Sequence, residues 1–109
     1  MIIEDYSNIN QIIIENSYSS VFLLLDTNTD RHCLDLFIKK SGIKDFKKVV
    51  VEDGEESKSL DTCEYVWEYL NSNNGDRKSL LINIGGGVVT DLGGFIASTY
   101  LRGIDFINV

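Results

Sequence analysis

The fold of this chain is decided by one stretch, Ser79-Leu-Leu-Ile-Asn-Ile-Gly-Gly-Gly-Val-Val-Thr-Asp91, which leads from an apolar run into a helix through three glycines. Ser79–Ile84 predicts a strand. Gly85-Gly-Gly87 predicts a tight turn, because glycine permits the positive φ angles that such turns often need. Val88–Leu101 predicts a helix, which ends at Arg102-Gly103.

Further strands are predicted on both sides of this stretch. Val21-Phe-Leu-Leu-Leu25 is continuously apolar, which suits a strand covered on both faces, as in a parallel sheet. Lys48–Val51 is a shorter run of the same kind, and Ile104–Val109 starts another strand.

Helical spacing separates these strands. Ile9–Glu15 has a weak apolar face, and a stronger one starts at Leu34 and stops at Ser41-Gly42. Ser59 or Asp61 can cap a further helix. The buried face of that helix is predicted to comprise Leu60, Cys63, Val66, Trp67 and Leu70.

The alternation of strands and helices predicts an α/β fold, a Rossmann-like parallel sheet with right-handed crossovers. Ligands of such sheets bind beyond the carboxyl ends of the strands. Three polar or glycine-rich loops fall at that edge: Asp26–Thr29, Glu52–Lys58 and Gly85–Asp91. We therefore expect one ligand-binding edge.

The composition is that of one globular domain and argues against two classes of partner. The 109 residues are 43% hydrophobic and 25% charged, which is ordinary for a globular domain. A net charge of −7 argues against nucleic acid, and no apolar run reaches the ~18 residues of a membrane span. Glu4 and Asp5 stand where a signal peptide would carry positive charge, so we expect a cytoplasmic protein.

The cysteines, the histidine and the last residues lead to three further expectations. Cys33 and Cys63 lack the spacing of metal ligands and are expected to be buried free thiols. His32 is expected at the surface, at the start of a helix. The chain has no proline and stops within the apolar stretch Asp105–Val109, so we expect it to be a truncated domain.

The glycine turn is the strongest candidate for chemistry. The backbone N–H groups of Gly86, Gly87 and Val88 can approach a pyrophosphate closely, aided by the positive end of the helix dipole. Asp91 is expected in the first turn of the helix, where it can cap backbone donors or accept a ribose hydroxyl. The alternative is a purely structural turn, since Thr90 stands where the standard dinucleotide pattern has glycine.

Two loops at the same edge offer further contacts. Asp53 and Glu55 can accept hydrogen bonds from ribose hydroxyls, and Lys58 can pair with a phosphate. Asp26 and Asn28 can hold a ribose or an adenine. The alternatives are a solvated loop in the first case and a simple turn in the second.

The glycine-led helix has two more informative positions. Gly93-Gly94 lie inside it, where each costs about 1 kcal/mol relative to alanine, which implies close approach by a strand or a ligand. Arg102 closes the helix and can face an anionic substrate; alternatively, it only complements the helix dipole.

Three of these motifs together resemble a known family. The run from Gly85 to Val109 closely resembles the signature of 3-dehydroquinate synthases. Asp53–Leu60 is similar to that family's Asp-Gly-Glu-x-x-Lys-Ser-Leu loop, and Asp26-Thr-Asn28 fits the loop after its first long strand. Two departures are Thr90, in place of a common glycine, and Glu52, in place of a common proline.

The resemblance implies a set of binding residues. Arg102 would face the phosphate-bearing end of the substrate, across a dimer contact. NAD would be bound by Asp26, Asn28, Asp53, Gly54, Glu55, Lys58, Gly86, Gly87, Val88, Val89, Thr90 and Asp91.

The resemblance also implies an activity for the parent protein, a homodimer. It converts 3-deoxy-arabino-heptulosonate 7-phosphate, a phosphorylated sugar acid, into 3-dehydroquinate in the shikimate pathway, with NAD as a transient hydride acceptor. A divalent metal, zinc or cobalt, acts as a Lewis acid. Its ligands belong to a C-terminal helical domain, so residues 1–109 would be an incomplete N-terminal NAD-binding domain without catalytic or metal-binding residues, inactive alone.

Three alternatives stay open. The first is another sugar phosphate cyclase, such as a 2-deoxy-scyllo-inosose synthase-like enzyme. The second is a glycerol-dehydrogenase-like enzyme, against which the Tyr100-x-Arg102-Gly103 ending argues. The third is a stand-alone, non-catalytic nucleotide-binding module.

Overall fold

The computed structural model describes residues 6–109. Met1–Asp5, on which the expectation of a cytoplasmic protein rests, lie outside the described residues. Within the described part, none of the helices combines the length and the apolar character that a membrane span needs.

A four-stranded parallel sheet forms the centre of the domain. Each neighbouring pair of strands runs parallel, and central Leu24 pairs with Val49 on one side and with Asn83 on the other. The predicted α/β fold with a Rossmann-like parallel sheet is therefore confirmed. The strands are β1 (Ser20–Asp26), β2 (Lys47–Val51), β3 (Ser79–Ile84) and β4 (Asp105–Asn108), in the order β2-β1-β3-β4.

Helices connect the strands in the predicted alternation. They are α1 (Ile9–Glu15), α2 (Thr27–His32), α3 (Leu34–Ser41), α4 (Leu60–Ser72) and α5 (Gly87–Thr99). Short 3-10 turns occur at Tyr6–Asn8, Glu55–Ser57 and Tyr100–Arg102. Ser59, one of the two predicted caps, caps α4 by accepting a hydrogen bond from the backbone N–H of Thr62.

The segment after β1 is a helix, so the prediction of a loop over Asp26–Thr29 was wrong, and so was the alternative of a simple turn. The Asp26 side chain accepts a hydrogen bond from the backbone N–H of Thr29, and the Thr29 hydroxyl in turn accepts one from the backbone N–H of Asp26. This reciprocal capping starts α2 directly at Thr27. His32 is consequently the last residue of α2 and not at a helix start, although it is exposed, as predicted.

The core lies on both faces of the sheet, because successive side chains of a strand point to opposite faces. Phe22 and Leu24 of β1 pack with the helix pair α4 and α5. Leu23 and Leu25 pack on the other face with α1 and α3, where Ile9 and Phe37 are buried. This two-sided burial explains the continuous apolar run in β1.

Two predictions of burial were wrong. Cys33 is exposed because it lies at the junction between α2 and α3, whereas Cys63 is buried as predicted. Leu60 is 73% exposed. It is the first residue of α4 and lines the open groove between α4 and α5, together with Cys63, Leu92 and Phe95.

The glycine pair inside α5 confirms the predicted close approach at one of its two positions. A Cβ atom at Gly93 would lie 1.9 Å from the Oδ1 atom of Asn83, a fully buried residue of β3. A Cβ atom at Gly94 would meet only the Phe106 ring at 3.8 Å, an ordinary contact. Helix α5 therefore lies close to β3 because residue 93 has no side chain.

Candidate cofactor-binding site

The three predicted loops meet at the carboxyl edge of the sheet and are joined by hydrogen bonds. The Thr27 hydroxyl donates to the Asp53 carboxylate at 2.8 Å, which ties the start of α2 to the loop after β2. The Thr29 hydroxyl donates to the backbone oxygen of Ile84 at 2.9 Å, which ties α2 to the end of β3. The polar and glycine residues of the three segments thus gather at one edge of the sheet, as predicted, and ligand binding at this edge stays a prediction.

The three glycines of the turn differ in whether the packing of the fold requires them. A Cβ atom at Gly85 would lie 2.7 Å from the Val89 side chain, so packing excludes a larger residue there. At Gly86 and Gly87, a Cβ atom would meet no other atom within 4 Å. Packing within the described residues therefore does not explain these two glycines.

The beginning of α5 offers backbone donors without a competing side chain. Gly86 is the residue before the helix and makes no side-chain capping bond. The first N–H groups of a helix have no partner within the helix, and here they border the open space in front of Gly86 and Gly87. An anion such as a pyrophosphate is what these groups can bind.

Thr90 does not disturb this turn, although it replaces a common glycine. It lies within α5, and its hydroxyl donates to the backbone oxygens of Gly86 and Gly87 at 3.3 Å each. Its backbone N–H donates to the Gly86 oxygen at 3.1 Å. The threonine thus reinforces the first turn of the helix from the solvent side.

Asp91 does not cap α5, and its predicted position in the first turn was wrong. The helix begins at Gly87, one residue earlier than predicted, and its first turn contains no acidic residue. Asp91 instead forms an exposed ion pair with Lys58, with the Nζ and Oδ2 atoms 3.0 Å apart. The hydrogen bond to Asp91, followed by the charges of Asp91 and Glu55, raises the pKa of Lys58.

The loop after β2 has a backbone that glycine makes possible. Gly54 has a φ of +106°, a conformation that residues with side chains rarely adopt. The Glu55–Ser57 turn follows, and the buried Ser57 hydroxyl donates to the backbone oxygen of Glu52. The loop is held in shape by Ser57 and Thr27, neither of which the sequence had indicated.

Asp26 and Asn28 differ in what they can offer a ligand. The Oδ1 atom of Asp26 accepts the backbone N–H of Thr29 at 2.7 Å, so this carboxylate holds the start of α2. Asn28 is the second residue of α2 and is exposed. The two residues form a capping box in which Thr29 stands where the common pattern has Glu or Gln.

Arg102 lies far from the glycine turn of its own chain. The two are separated by the 13 residues of α5, a length of about 20 Å at 1.5 Å per residue. Arg102 instead borders a cavity with Asp76, Arg77 and Lys78, which precede β3. The structure therefore places Arg102 at the amino edge of the sheet and the glycine turn at the carboxyl edge.

The described residues contain no evident metal site. Within residues 6–109, no three His, Cys, Asp or Glu side chains are grouped so that they would hold a metal ion. The implied zinc or cobalt remains a prediction about residues that the resemblance places outside this chain.

Comparison with known proteins assigns a family. The model of the family described as 3-dehydroquinate synthase N-terminal matches residues 48–109. The 3-dehydroquinate synthase of Alkaliphilus oremlandii is 41% identical over 90 residues, which are 83% of this chain and 25% of that protein. That of Pyrococcus furiosus is 41% identical over 105 residues, 94% of this chain and 31% of that protein. The chain thus spans about a quarter to a third of the length of these relatives.

Solved structures support the same fold. A 2-deoxy-scyllo-inosose synthase superposes with a TM-score of 0.83 at 19% identity, covering 96% of this chain and 30% of that one. A 2-epi-5-epi-valiolone synthase from Streptomyces hygroscopicus, with NAD+ and Zn2+ bound, gives a TM-score of 0.69 at 21% identity, covering 87% of this chain and 28% of that one. These identities support the fold alone, whereas the family match supports membership. The chain belongs to the 3-dehydroquinate synthase family and corresponds to its N-terminal part.

Proposed function

We propose that this chain is the NAD-binding part of a 3-dehydroquinate synthase. The observation that carries the proposal is the open glycine turn, where Gly86 and Gly87 face free space at the beginning of α5. Neither the packing nor a positive φ angle requires glycine at these two positions. A bound group that lies against the backbone does require it, because a Cβ atom would occupy its place.

The residues at this edge fit a dinucleotide. The pyrophosphate would be held by the backbone N–H groups of Gly87, Val88 and Val89, with Gly86 leaving the approach open. Thr90 and Gly85 would support the turn, through the hydroxyl bonds to Gly86 and Gly87 and through packing on Val89.

The ribose hydroxyls would be bound by carboxylates of the neighbouring loops. Thr27 orients the Asp53 carboxylate by its hydrogen bond to Oδ1. Asp91 and Lys58 lie beside the turn as an exposed pair, so a hydroxyl can bind Asp91 while Lys58 turns towards a phosphate. Glu55 and Gly54 shape the loop next to Asp53. Asn28 offers an exposed amide at the start of α2, whereas Asp26 would act mainly by fixing the start of that helix.

The proposed reaction of the whole enzyme converts 3-deoxy-arabino-heptulosonate 7-phosphate into 3-dehydroquinate. NAD, when bound, supplies a reversible hydride acceptor. The role of this chain in the reaction would be to bind and orient the cofactor at the carboxyl edge of its sheet. Identity above 40% to curated 3-dehydroquinate synthases favours this substrate over that of the inosose synthase, which is similar to the chain mainly in fold.

Arg102 would serve the substrate phosphate of a second copy. The length of α5 holds it about 20 Å from the glycine turn of its own chain. If Arg102 acts at a site with NAD at such a turn, that site therefore belongs to another copy. This supports the expectation of a contact across a homodimer.

A direct test measures NAD binding by isothermal titration calorimetry. We expect Gly86→Ala and Gly87→Ala to bind NAD at least tenfold more weakly than the unsubstituted chain, with unchanged circular dichroism. Gly94→Ala is the matched control, because its Cβ atom has ordinary contacts in the same helix, away from the turn. If all three variants bind NAD equally well, the glycine turn does not hold the cofactor.

A further inference from the structure

Asn83 is a fully buried polar residue near the carboxyl end of β3, where the other residues from 80 to 84 are apolar. Its Nδ2 atom donates to the Oδ1 atom of Asn108 at 2.9 Å, whereas its own Oδ1 atom has no hydrogen-bond partner within residues 6–109. A buried oxygen without a partner lowers stability. The polar side chain at this position therefore requires an explanation other than stability.

The side-chain carboxamide of Asn83 lies against the backbone of α5. A Cβ atom at Gly93 would lie 1.9 Å from the Oδ1 atom of Asn83, 2.2 Å from its Cγ atom and 2.5 Å from its Nδ2 atom. The whole carboxamide thus occupies the space in which residue 93 would otherwise have a side chain. The gap between β3 and α5 at this point is therefore set by the thickness of one planar group.

A second contact between β3 and α5 lies one helical turn closer to the beginning of the helix. A Cβ atom at Gly85 would lie 2.7 Å from the Val89 side chain. Asn83 and Gly85 are two residues apart, which is about 6.6 Å in an extended chain. Val89 and Gly93 are four residues apart on one face of α5, which is about 6 Å along its axis. The two spacings match, so α5 rests on the end of β3 at two points.

These two contacts fix where α5 begins. Gly93 lies six residues after Gly87, the first residue of the helix, which is about 9 Å along the axis. The hydrogen bonds of a helix join each turn to the next, so the backbone N–H groups at its beginning follow a displacement at residue 93. Without the Asn83 side chain, one of the two points is lost and the beginning of α5 is free to tilt about the other.

Asn108 holds the carboxamide of Asn83 in the plane that this contact needs. The last torsion of an asparagine side chain has only a broad preference, so the plane must be fixed by a bonding partner. Asn108 faces Asn83 in the register of β3 and β4, and its side chain accepts the bond from Nδ2. The backbone N–H of Val109 also donates to the backbone oxygen of Asn83, at 2.9 Å. The end of β4 thus orients the group on which α5 rests.

We propose that Asn83, oriented by Asn108, is a positioning residue for the cofactor. It sets the place of the N–H groups at the beginning of α5 without touching the cofactor itself. Asparagine suits this role because a planar carboxamide fits against Gly93 and one hydrogen bond fixes its plane. The inference rests on the proposed function for the identity of the ligand, NAD.

The test compares NAD binding, measured by calorimetry, with stability to urea in variants that keep the circular dichroism of the folded chain. Asn83→Ala should weaken NAD binding about tenfold, the equivalent of about one hydrogen bond to the pyrophosphate. Asn108→Ala should weaken it about threefold, because the carboxamide stays but its plane is no longer fixed. Adding Gly93→Ala to Asn83→Ala should restore most of the affinity, because the new methyl group fills the space that the carboxamide leaves.

The matched control is Leu80→Ala, at a fully buried position of the same strand that packs on the face of the sheet away from α5. It should lower stability to urea but leave the affinity for NAD unchanged, and Leu80→Val is the milder form if Leu80→Ala does not fold. Equal weakening by the substitutions at Leu80 and Asn83 would mean that binding follows general core stability, and would overturn the proposal. An unchanged affinity of Asn83→Ala would do the same.

A second readout needs no NAD and separates this inference from the proposed function. In NMR spectra of the free chain, the backbone amide signals of Gly87, Val88 and Val89 should move in Asn83→Ala and stay in place in Leu80→Ala. If the unsubstituted chain does not bind NAD, the proposed function fails, while these signals still decide whether Asn83 positions α5. Unmoved amide signals in Asn83→Ala would overturn the positioning role.

Discussion

Alanine at the two adjacent glycines of α5 should change stability in opposite directions. Both substitutions gain about 1 kcal/mol of helix propensity. They differ in the space that the new methyl group meets, because Gly93 faces the buried Asn83 side chain and Gly94 faces the edge of the Phe106 ring. Gly94→Ala should therefore stabilise the chain by up to about 1 kcal/mol.

Gly93→Ala requires a rearrangement of the core. Its Cβ atom would lie 1.9 Å from Asn83 Oδ1, which must move by about 1.5 Å to reach an ordinary contact of 3.4 Å. Overpacking of this kind costs about 1–3 kcal/mol. Losing the bond from Asn83 to Asn108, which is 2.9 Å long, costs a further 0.5–1.5 kcal/mol or so. After the propensity gain, we expect a net loss of roughly 1–3 kcal/mol.

Urea denaturation, monitored by the fluorescence of Trp67, measures the difference in stability between the two variants. Trp67 is a suitable probe because it is packed against the core next to Phe95. The midpoints of the two variants should differ by roughly 1–2 M urea, for m values of about 1–3 kcal/mol/M. Adding Asn83→Ala to Gly93→Ala should recover part of the loss, as expected for residues in contact. Equal midpoints for Gly93→Ala and Gly94→Ala would refute the reasoning.

Three further changes test other parts of the fold. Asp26→Ala should cost about 0.5–2 kcal/mol by removing the cap of α2, whereas Asn28→Ala should leave the urea midpoint unchanged. Leu70→Ala should cost about 2–5 kcal/mol, whereas Leu60→Ala should cost little because Leu60 is exposed. Burial, with the hydrogen bond to Asp105, raises the pKa of Tyr18 to about 12. The raised pKa stabilises the folded state below pH 10, and this stabilisation is lost as the pH rises towards 12. The free energy of unfolding of Tyr18→Phe should therefore depend less on pH between 10 and 12 than that of the unsubstituted chain. An equal dependence on pH in the two chains would contradict this.

Much of the fold was predictable because its signals are local. The continuous apolar run of β1 and the glycine turn after β3 each follow from a few neighbouring residues. The start of α2 was equally local, since Asp26 and Thr29 form a capping pair, but their polarity was interpreted as that of a loop. The error arose because the polarity of these residues also suits a loop, and not because the sequence lacked a local signal for the start of the helix.

The details of the site depend on contacts that sequence spacing does not reveal. The pair formed by Lys58 and Asp91 joins residues 33 positions apart. Likewise, the need for Gly93 was predicted, but its neighbour Asn83 was identified only by the packing of α5 on β3. In contrast, the separation of Arg102 from the glycine turn follows from the length of the helix between them.

The central claim is that NAD binds against the open glycine turn. The most direct measurement is a titration of the labelled chain with NAD, followed residue by residue in NMR spectra. The account predicts that the largest saturable shifts occur at the backbone amides of Gly87, Val88 and Val89, with smaller ones at Asp53 and Lys58. Shifts confined to the amino edge around Arg77 and Arg102, or no saturable shifts at all, would contradict it.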